Sequence, residues 1–282
     1  MTTFPDWFKE NENMPPPKAP PKAPRPNTIK LESPPASAGH RIVLYGPGGV
    51  GKTTLADLAP GPVASFDLDD SFAVLQPEHT KRVAGIEDWD GLRMALKGNG
   101  WDDIKTLVID SGTRAEEWAV GWTIKNVPHE KGSKIMRIED YGYGKGYSHV
   151  YDTWLGLLDD LDRHARSGRN VIIICHDCTQ SVPNPMGDDW IRWEPRLQAP
   201  ASGKASIRLR TREWADHVFF LGYDVAVVTE KGSKGKGEGS GTRTLWPVEM
   251  PHAMAKSRTL ADPIPIEAGD TTLWDTLFNK EG

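Results

Sequence analysis

Between a short apolar segment and a helix-forming one, the chain reads Gly46-Pro47-Gly48-Gly49-Val50-Gly51-Lys52-Thr53. Residues 41–45 before it, Arg-Ile-Val-Leu-Tyr, have the length and β-branching of a buried parallel strand. Residues 52–58 after it follow a helical pattern that ends near Pro60. Glycine-rich backbone that opens onto a helix N-terminus presents many N–H donors with few side chains in the way, which suits a chain of phosphates.

The residues of this turn match a phosphate loop. The glycines supply clearance, Lys52 can reach the β- and γ-phosphates, and the Thr53 hydroxyl can bind Mg²⁺. Gly46, Gly48 and Gly51 also fit the dinucleotide pattern Gly-x-Gly-x-x-Gly, but the Lys-Thr pair that follows favours a phosphate loop. The predicted ATP site comprises Gly46, Pro47, Gly48, Gly49, Val50, Gly51, Lys52, Thr53 and Thr54.

Acidic residues follow two of the predicted strands. Asp110, after Leu-Val-Ile, is the expected second holder of Mg²⁺, although it could simply be a strand-terminating turn residue. Ser111 stands where many ATPases carry a glutamate that orients water, so that role is assigned to Asp69 first and Asp67 second. A solvated acidic turn is the competing interpretation. His176, after the strand at residues 171–175, is placed either to sense the γ-phosphate or as a structural histidine.

Strand and helix patterns alternate along the chain. Further strands are predicted at residues 63–66, 106–110, 171–175 and 217–221, and helices at 89–97, 113–125 and 148–166. This alternation predicts an α/β fold with a mostly parallel sheet flanked by helices. Residues 223–229 and 242–246 are expected to form a strand pair around a flexible loop at 230–241.

The distribution of proline along the chain indicates where the domains begin and end. Ten of the 23 prolines fall in the first 35 residues, which predicts a disordered arm at residues 1–38. Residues 39–250 form the predicted core and 251–282 a C-terminal extension.

A net charge of −5 argues against a surface made wholly for nucleic acid. No apolar run approaches the ~18 residues of a membrane helix, so we expect no membrane partner and a cytoplasmic location. Cys175 and Cys178 are expected to be reduced thiols, with a redox pair or half a zinc site as the alternative.

Several motifs together resemble a family of bacteriophage nucleotide-binding proteins with a RecA-like core. They are residues 45–56, Val108-Ile-Asp-Ser111, residues 138–147, Ile172-Ile-Ile-Cys-His176, Glu194-Pro-Arg-Leu197 and Glu213-Trp-Ala-Asp-His-Val218. Characterised members are associated with annealing or pairing of single-stranded DNA. The resemblance spans about residues 40–250. It implies a RecA-like fold with ATP and Mg²⁺ at Lys52, Thr53 and Asp110, and His176 as γ-phosphate sensor. It also places Asp69, two residues after Asp67, where RecA-type cores usually have glutamate, which implies slow hydrolysis or a base that acts through an extra water.

Two segments are candidates for binding single-stranded DNA, which is held by cations and aromatic faces. The first comprises Lys131, Lys134, Arg137, Tyr141, Tyr143 and Lys145, with Tyr147 beside them. It could instead be an ordinary loop packed by its tyrosines. The second comprises Arg192, Arg208, Arg210 and Arg212, with Trp190, Trp193, Arg196 and Lys204 nearby. An arginine of this group could instead act as a finger on a neighbouring subunit's γ-phosphate, or the group could be a solvated strand edge.

The resulting hypothesis is a RecA-like phage ATPase, active as a ring or filament on single-stranded DNA in recombination or annealing. It would work in the cytoplasm of an infected host, with a single-strand binding protein as a further candidate partner. Two rivals remain open. One is a P-loop phosphotransferase acting on a nucleotide or small molecule. The other is an ATP-switched replisome or helicase adaptor with little turnover, docking through the arm or through Trp274-Asp-Thr-Leu-Phe278.

Overall fold

A computed structural model describes Ile29, Leu31 and residues 38–200, 203–228 and 236–278. The predicted arm lies outside the described residues apart from Ile29, Leu31 and residue 38. The described residues from 38 onward belong to one compact unit.

Eight strands build one sheet and two more form a separate hairpin. The strands are β1 Arg41–Tyr45, β2 Val63–Asp67, β3 Thr80–Arg82, β4 Thr106–Asp110, β5 Asn170–Cys175, β6 Asp177–Val182, β7 Trp190–Pro195, β8 His217–Val228, β9 Lys236–Trp246 and β10 Ile264–Pro265. The helices are α1 Lys52–Asp57, α2 Phe72–Leu75, α3 Trp89–Lys97, α4 Gly112–Asn126, α5 Lys145–Arg166, α6 Ile207–Trp214 and α7 Thr272–Phe278. A 3₁₀ turn at Ile138–Tyr141 precedes α5.

The sheet is mostly parallel. Its strand order is β10-β9-β8-β1-β5-β4-β2-β3, and within the described residues β6 and β7 form a two-stranded sheet of their own. Strands β8, β1, β5, β4, β2 and β3 run parallel, whereas β9 and β10 add on antiparallel. The carboxyl ends of β1, β4 and β5 therefore meet at one edge, with β5 between the other two. The predicted fold class, α/β with a mostly parallel central sheet flanked by helices, is confirmed by this topology.

Helices cover both faces of the sheet because the central strands are apolar on both sides. On β1, Val43 and Tyr45 face a core that includes Trp154 of α5, while Ile42 and Leu44 face a second core with α1 and α7. Trp154 is fully buried, and its indole N–H donates to the Thr211 hydroxyl at 3.0 Å. The amphipathic pattern of residues 148–166 thus becomes the central helix of one layer.

Two sequence expectations are corrected. Residues 236–241, predicted as flexible loop, belong to β9 and pair antiparallel with β8, for example Val225 with Gly239. Backbone pairing needs no side chain, so the ladder overrides the linker-like composition. The rest of that loop, up to residue 235, lies outside the described residues. The basic group at residues 208–212 lies on α6, and not on a strand edge.

The C-terminal residues are part of the core unit. The backbone of Lys256 exchanges two hydrogen bonds with Val218 of β8, and β10 extends the sheet. Trp274 and Leu277 are buried against α1, and the Trp274 indole N–H donates to the Leu55 carbonyl at 2.9 Å. These two side chains therefore offer no docking surface, contrary to the adaptor hypothesis for residues 274–278. Within the described ranges, no helix combines the length and apolar character needed to cross a bilayer.

We expect Trp274→Ala to lower the free energy of unfolding by about 3–5 kcal/mol, because it removes a fully packed indole and its hydrogen bond. Urea unfolding of the full chain measures this. Met94→Ala, at a residue that is 72% exposed on α3, is the control and should change stability by less than about 0.5 kcal/mol. Equal behaviour of the two variants would show that the C-terminal helix does not stabilise the domain.

Candidate active site

The phosphate loop connects β1 to α1 and lies close to β8. A Cβ on Gly46 would stand 2.0 Å from the carbonyl oxygen of Leu221, so only glycine fits there. Gly51, which precedes the first turn of α1, has φ +99°, a conformation that glycine adopts without strain. The loop is therefore shaped by its contact with a strand that follows it by more than 160 residues.

Lys52 lies inside the loop. Its side chain is buried, and the ammonium donates to the carbonyls of Gly46 and Pro47, both at 2.8 Å. Burial lowers the pKa of Lys52, while the charge of Asp110 opposes that shift. The ammonium is thus held where the loop closes on itself, beside the acidic end of β4.

Asp110 lies at the end of β4, directly across from Asp67 of β2 in the parallel register. It accepts a hydrogen bond from the Thr53 hydroxyl at 2.6 Å. Burial raises the pKa of Asp110 to about 6, the bond from Thr53 opposes the rise, and the negative charges of Asp69 and Asp67 add to it. An adjacent hydroxyl and carboxylate beside a phosphate loop are the oxygen donors that Mg²⁺ takes when it is bound with a nucleotide, so these residues fit the ion.

Asp67 and Asp69 have different surroundings. Asp67 is buried and accepts hydrogen bonds from the Ser71 N–H, the Ser71 hydroxyl and the Phe72 N–H, which fixes the turn before α2. Asp69 is half-buried, and its Oδ2 lies 3.5 Å from Nε2 of His176. A hydrogen bond from His176 is the main cause that lowers the pKa of Asp69. A hydrogen bond from Ser111 lowers this pKa further, so Asp69 is an ionised carboxylate held by two side chains.

A cavity of about 460 Å³ joins these groups. Its lining brings together the loop, Asp69, Asp110 and His176, as expected from the sequence. Sequence analysis missed Val74 and Leu75 of α2, which are exposed and form an apolar wall of the same cavity. It also missed Tyr223 and Arg243, which donate to loop carbonyls from β8 and β9. No local signal marks them, because each contacts the loop from more than 170 residues away along the chain.

The first DNA candidate segment divides into buried and exposed members. Tyr141 is buried, and its hydroxyl donates to the Thr123 and Val127 carbonyls, so the DNA expectation does not hold for this residue. Tyr143 is fully exposed, and Lys145 pairs with Glu130 at 2.6 Å. The remaining members are exposed cations, namely Lys131, Lys134 and Arg137. Tyr141 therefore anchors a segment whose charges face solvent.

The second group is largely paired within the molecule. Arg208 is buried and bonded to Glu194, and Arg192 bonds to both Glu194 and Glu249. Neither guanidinium is available to DNA, which corrects the prediction for these two residues. Arg212 pairs with Glu249 at 3.1 Å, and Arg210 lies 3.6 Å from Glu213 in a more exposed ion pair.

The β6–β7 hairpin begins at the residue after His176 and reaches the surface. Ile191 is 70% exposed, and Trp190 and Trp193 are each 37% exposed. The hairpin returns to the site because the Arg196 N–H donates to the His176 carbonyl at 2.8 Å. Cys178 of this hairpin is half-buried, whereas Cys175 ends β5 in the core, where burial raises the pKa of its thiol.

Gln198 connects the two DNA candidate segments. Its side-chain amide donates to the carbonyls of Tyr147 on α5 and Ala205 before α6, at 3.0 and 2.9 Å. Its backbone N–H donates to Glu116 on α4, and burial raises the pKa of Glu116 to about 7. The start of α5, the start of α6 and the return strand of the hairpin are thus tied together two residues after Arg196.

A glycine-rich loop on a helix N-terminus, with a lysine, a hydroxyl and a strand-end carboxylate, defines a P-loop nucleotide-binding protein. The chain belongs to the AAA domain family, whose model matches residues 38–259. This membership places it among the P-loop ATPases.

Two solved structures are similar in fold at low sequence identity. One is a KaiC-like protein from the hyperthermophilic archaeon Pyrococcus horikoshii, 16% identical over 82% of this chain and 87% of that one, with a TM-score of 0.40. The other is the RadB recombinase, 17% identical over 74% of this chain and 80% of that one, with a TM-score of 0.37. No curated protein matches the sequence significantly.

We expect Asp110→Asn to stabilise the nucleotide-free protein while weakening Mg²⁺-ATP binding. A carboxyl whose pKa rises from 3.8 to about 6 on folding stabilises the fold below pH 4 and loses that contribution as the pH rises through 6. The variant should therefore gain about 1–3 kcal/mol at pH 7.5 and less near pH 4.

Urea unfolding at both pH values tests this prediction. Asp102→Asn, at a fully exposed residue, is the control and should gain nothing. A loss of stability at pH 7.5 for Asp110→Asn would contradict the assigned cost of ionisation.

Proposed function

We propose that this protein hydrolyses ATP with Mg²⁺ and acts on single-stranded DNA in recombination or annealing. The observation that carries the proposal is the continuity at His176. This residue lines the nucleotide cavity, and the next residue begins a hairpin with aromatic and apolar side chains at the surface. A change at the phosphate end of the site can therefore reach a surface suited to unpaired bases.

The chain's own groups divide the work of hydrolysis. Lys52 moves from the Gly46 and Pro47 carbonyls to the phosphates, where its charge stabilises the transition state. Thr53 and Asp110 hold Mg²⁺, which when bound neutralises phosphate charge and orients the triphosphate. The Thr53 hydroxyl would keep its proton and turn its hydrogen bond from Asp110 to solvent, which would leave oxygen lone pairs of both residues for the ion.

Asp69 orients the attacking water and accepts its proton. Its lowered pKa keeps it ionised at neutral pH, and hydrogen bonds from His176 and Ser111 hold it beside the cavity. The His176 Nε2–H can then respond to the γ-phosphate while remaining near Asp69. Aspartate is one methylene shorter than the glutamate that RecA-type cores usually carry at this position. ATP hydrolysis is therefore slow unless DNA or a neighbouring subunit contributes further to catalysis.

The proposed DNA surface consists of exposed side chains of the hairpin and exposed cations of the first candidate segment. Trp190 offers a stacking face and Ile191 an apolar contact, and Lys131, Lys134 and Arg137 offer charge for phosphates. Gln198 and Arg196 link these segments to the backbone of His176, which supports coupling between ATP and DNA.

The sequence resemblance also supports a bacteriophage origin, action in the host cytoplasm and assembly into a ring or filament. A single-strand binding protein is then a natural partner, since it occupies the same DNA. Arg210, whose ion pair with Glu213 is exposed, is the arginine of α6 best placed to serve as a finger toward a neighbouring subunit's γ-phosphate.

We expect single-stranded DNA to stimulate ATP turnover, and the stimulation to fall steeply as salt rises. Lys52→Ala should reduce turnover by about 100-fold or more, because a charge aimed at the phosphates is lost.

Trp190→Ala should weaken DNA binding by about 1–3 kcal/mol, the contribution of one stacked base, and should leave DNA-free turnover unchanged. Turnover and fluorescence binding assays across a salt series measure these effects.

Met94→Ala, at an exposed residue away from the hairpin, is the matched control for Trp190→Ala. Absence of DNA binding and of DNA stimulation would exclude the recombination role. Phosphoryl transfer to an added nucleotide in place of hydrolysis would favour a phosphotransferase.

Asp69→Asn should retain ATP affinity and lose about 10²–10⁴-fold in turnover, because the amide orients water but accepts no proton. Asp70→Asn is the control, since Asp70 is exposed and pairs with Arg82 outside the cavity lining. Wild-type turnover in the Asp69 variant would remove Asp69 from the mechanism.

A further inference from the structure

Two side chains from the antiparallel part of the sheet hold the phosphate loop from outside. The Tyr223 hydroxyl donates to the carbonyl oxygen of Gly49 at 3.0 Å, and Nη1 of Arg243 donates to the carbonyl oxygen of Val50, also at 3.0 Å. The acceptors are consecutive carbonyls of the segment whose N–H groups form the predicted cradle. Nothing in the proposed hydrolysis assigns a role to either donor.

The two donors form a rigid pair. Tyr223 of β8 and Arg243 of β9 stand directly opposite each other in the antiparallel register. On one side Leu221 lies against Gly46, and on the other the Ile266 N–H donates to the Arg243 carbonyl at 2.8 Å. Cross-strand neighbours with a fixed backbone on both sides can hold a third segment at a defined position.

These hydrogen bonds orient two peptide planes. In a trans peptide the C=O of one residue and the N–H of the next point in opposite directions. Holding the Gly49 carbonyl outward on Tyr223 therefore directs the Val50 N–H inward, and holding the Val50 carbonyl outward on Arg243 directs the Gly51 N–H inward. Neither of these peptide bonds is among the cis bonds of the chain.

The inward side is the phosphate side. The Val50 N–H points to the Pro47 carbonyl at 3.4 Å, and the Lys52 ammonium contacts the same carbonyl at 2.8 Å. The Val50 N–H bond is long, so this donor is weakly engaged and free to prefer a stronger acceptor. The N–H donors and the ammonium thus converge from one side while Tyr223 and Arg243 pull from the other.

Arg243 also contributes charge. Among the described residues, no carboxylate lies within ion-pair distance of its guanidinium. A Cβ on Gly51 would stand 2.4 Å from Nη1, so the cation lies directly on the loop. A half-buried cation in contact with the loop raises the local potential that phosphates meet.

We propose that Tyr223 and Arg243 are positioning residues that preset the Val50 and Gly51 N–H groups toward the phosphates of the nucleotide. This inference rests on the proposed nucleotide site and adds to it. If their carbonyl contacts were lost, the two peptide planes would be less constrained, and phosphate binding would have to order them.

The test is calorimetry on the full chain with Mg²⁺, using ATP, pyrophosphate and adenosine as ligands. Tyr223→Phe and Arg243→Met should each weaken ATP and pyrophosphate binding by about 3–10-fold, the loss expected for one hydrogen bond. Adenosine affinity should not change, because it carries no phosphate. Arg243→Lys should recover part of the loss, since one donor and the charge return.

Tyr151→Phe and Arg166→Met, both on α5 away from the loop, are the matched controls and should bind as wild type does. A parallel loss for adenosine and pyrophosphate, or unchanged binding of both, would overturn the positioning role. Wild-type protein that binds neither ATP nor pyrophosphate would overturn the proposed nucleotide site itself, so the two failures are distinguishable.

Discussion

The site depends on the crowding of negative charge at the ends of two neighbouring strands. Parallel pairing of β2 and β4 places Asp67 opposite Asp110, and Asp69 follows one turn further on. Lys52 is buried beside this group, where burial lowers its pKa, and Nε of Arg82 lies 3.6 Å from Oδ2 of Asp67. Burial is the main cause of the raised pKa of Asp110, and the negative charges of Asp69 and Asp67 add to it. A metal ion with a nucleotide supplies the missing positive charge, so the edge is costly to the empty fold and favourable for the loaded one.

The three carboxylates differ in their hydrogen-bond partners. Asp67 accepts a hydrogen bond from the backbone of the following turn, and Asp110 accepts one from the Thr53 hydroxyl. The Asp69 carboxylate lies beside the ring of His176. In the proposed mechanism, Asp67 shapes the turn before α2, Asp110 would hold the metal and Asp69 would orient water. Similar side chains obtain different tasks because their partners come from different elements of the fold.

The basic residues likewise divide into buried ones that are paired within the protein and exposed ones. Arg192 and Arg208 share Glu194 beneath the hairpin and stabilise its attachment to α6. Buried charges of this kind must be paired, because an isolated one is strongly destabilising. What remains exposed is a smaller set of cations and the hairpin's aromatic side chains, joined to the nucleotide cavity through the backbone of Arg196 and Gln198.

Much of this arrangement could be predicted from sequence. The phosphate loop, the apolar strand before Asp110 and the long helix at residues 148–166 are local patterns, and the parallel sheet follows from their alternation. The packing of Trp274 could not be predicted in this way, because its hydrogen bond to Leu55 joins residues 219 positions apart. The hairpin after His176 and the helix at residues 207–214 are local elements, one paired between nearby strands and the other capped by Ser206, but no strong periodic pattern marks them.

The sequence by itself determined the identity of the phosphate-binding groups, because glycine, lysine and threonine at fixed spacing satisfy a local steric and electrostatic demand. Only the tertiary structure decided which aspartate remains available for water, which arginines are buried, and which side chains hold the loop from behind. Those outcomes depend on where hydrogen-bond partners from other strands and helices come to lie, and burial then sets the cost of every charge left without one.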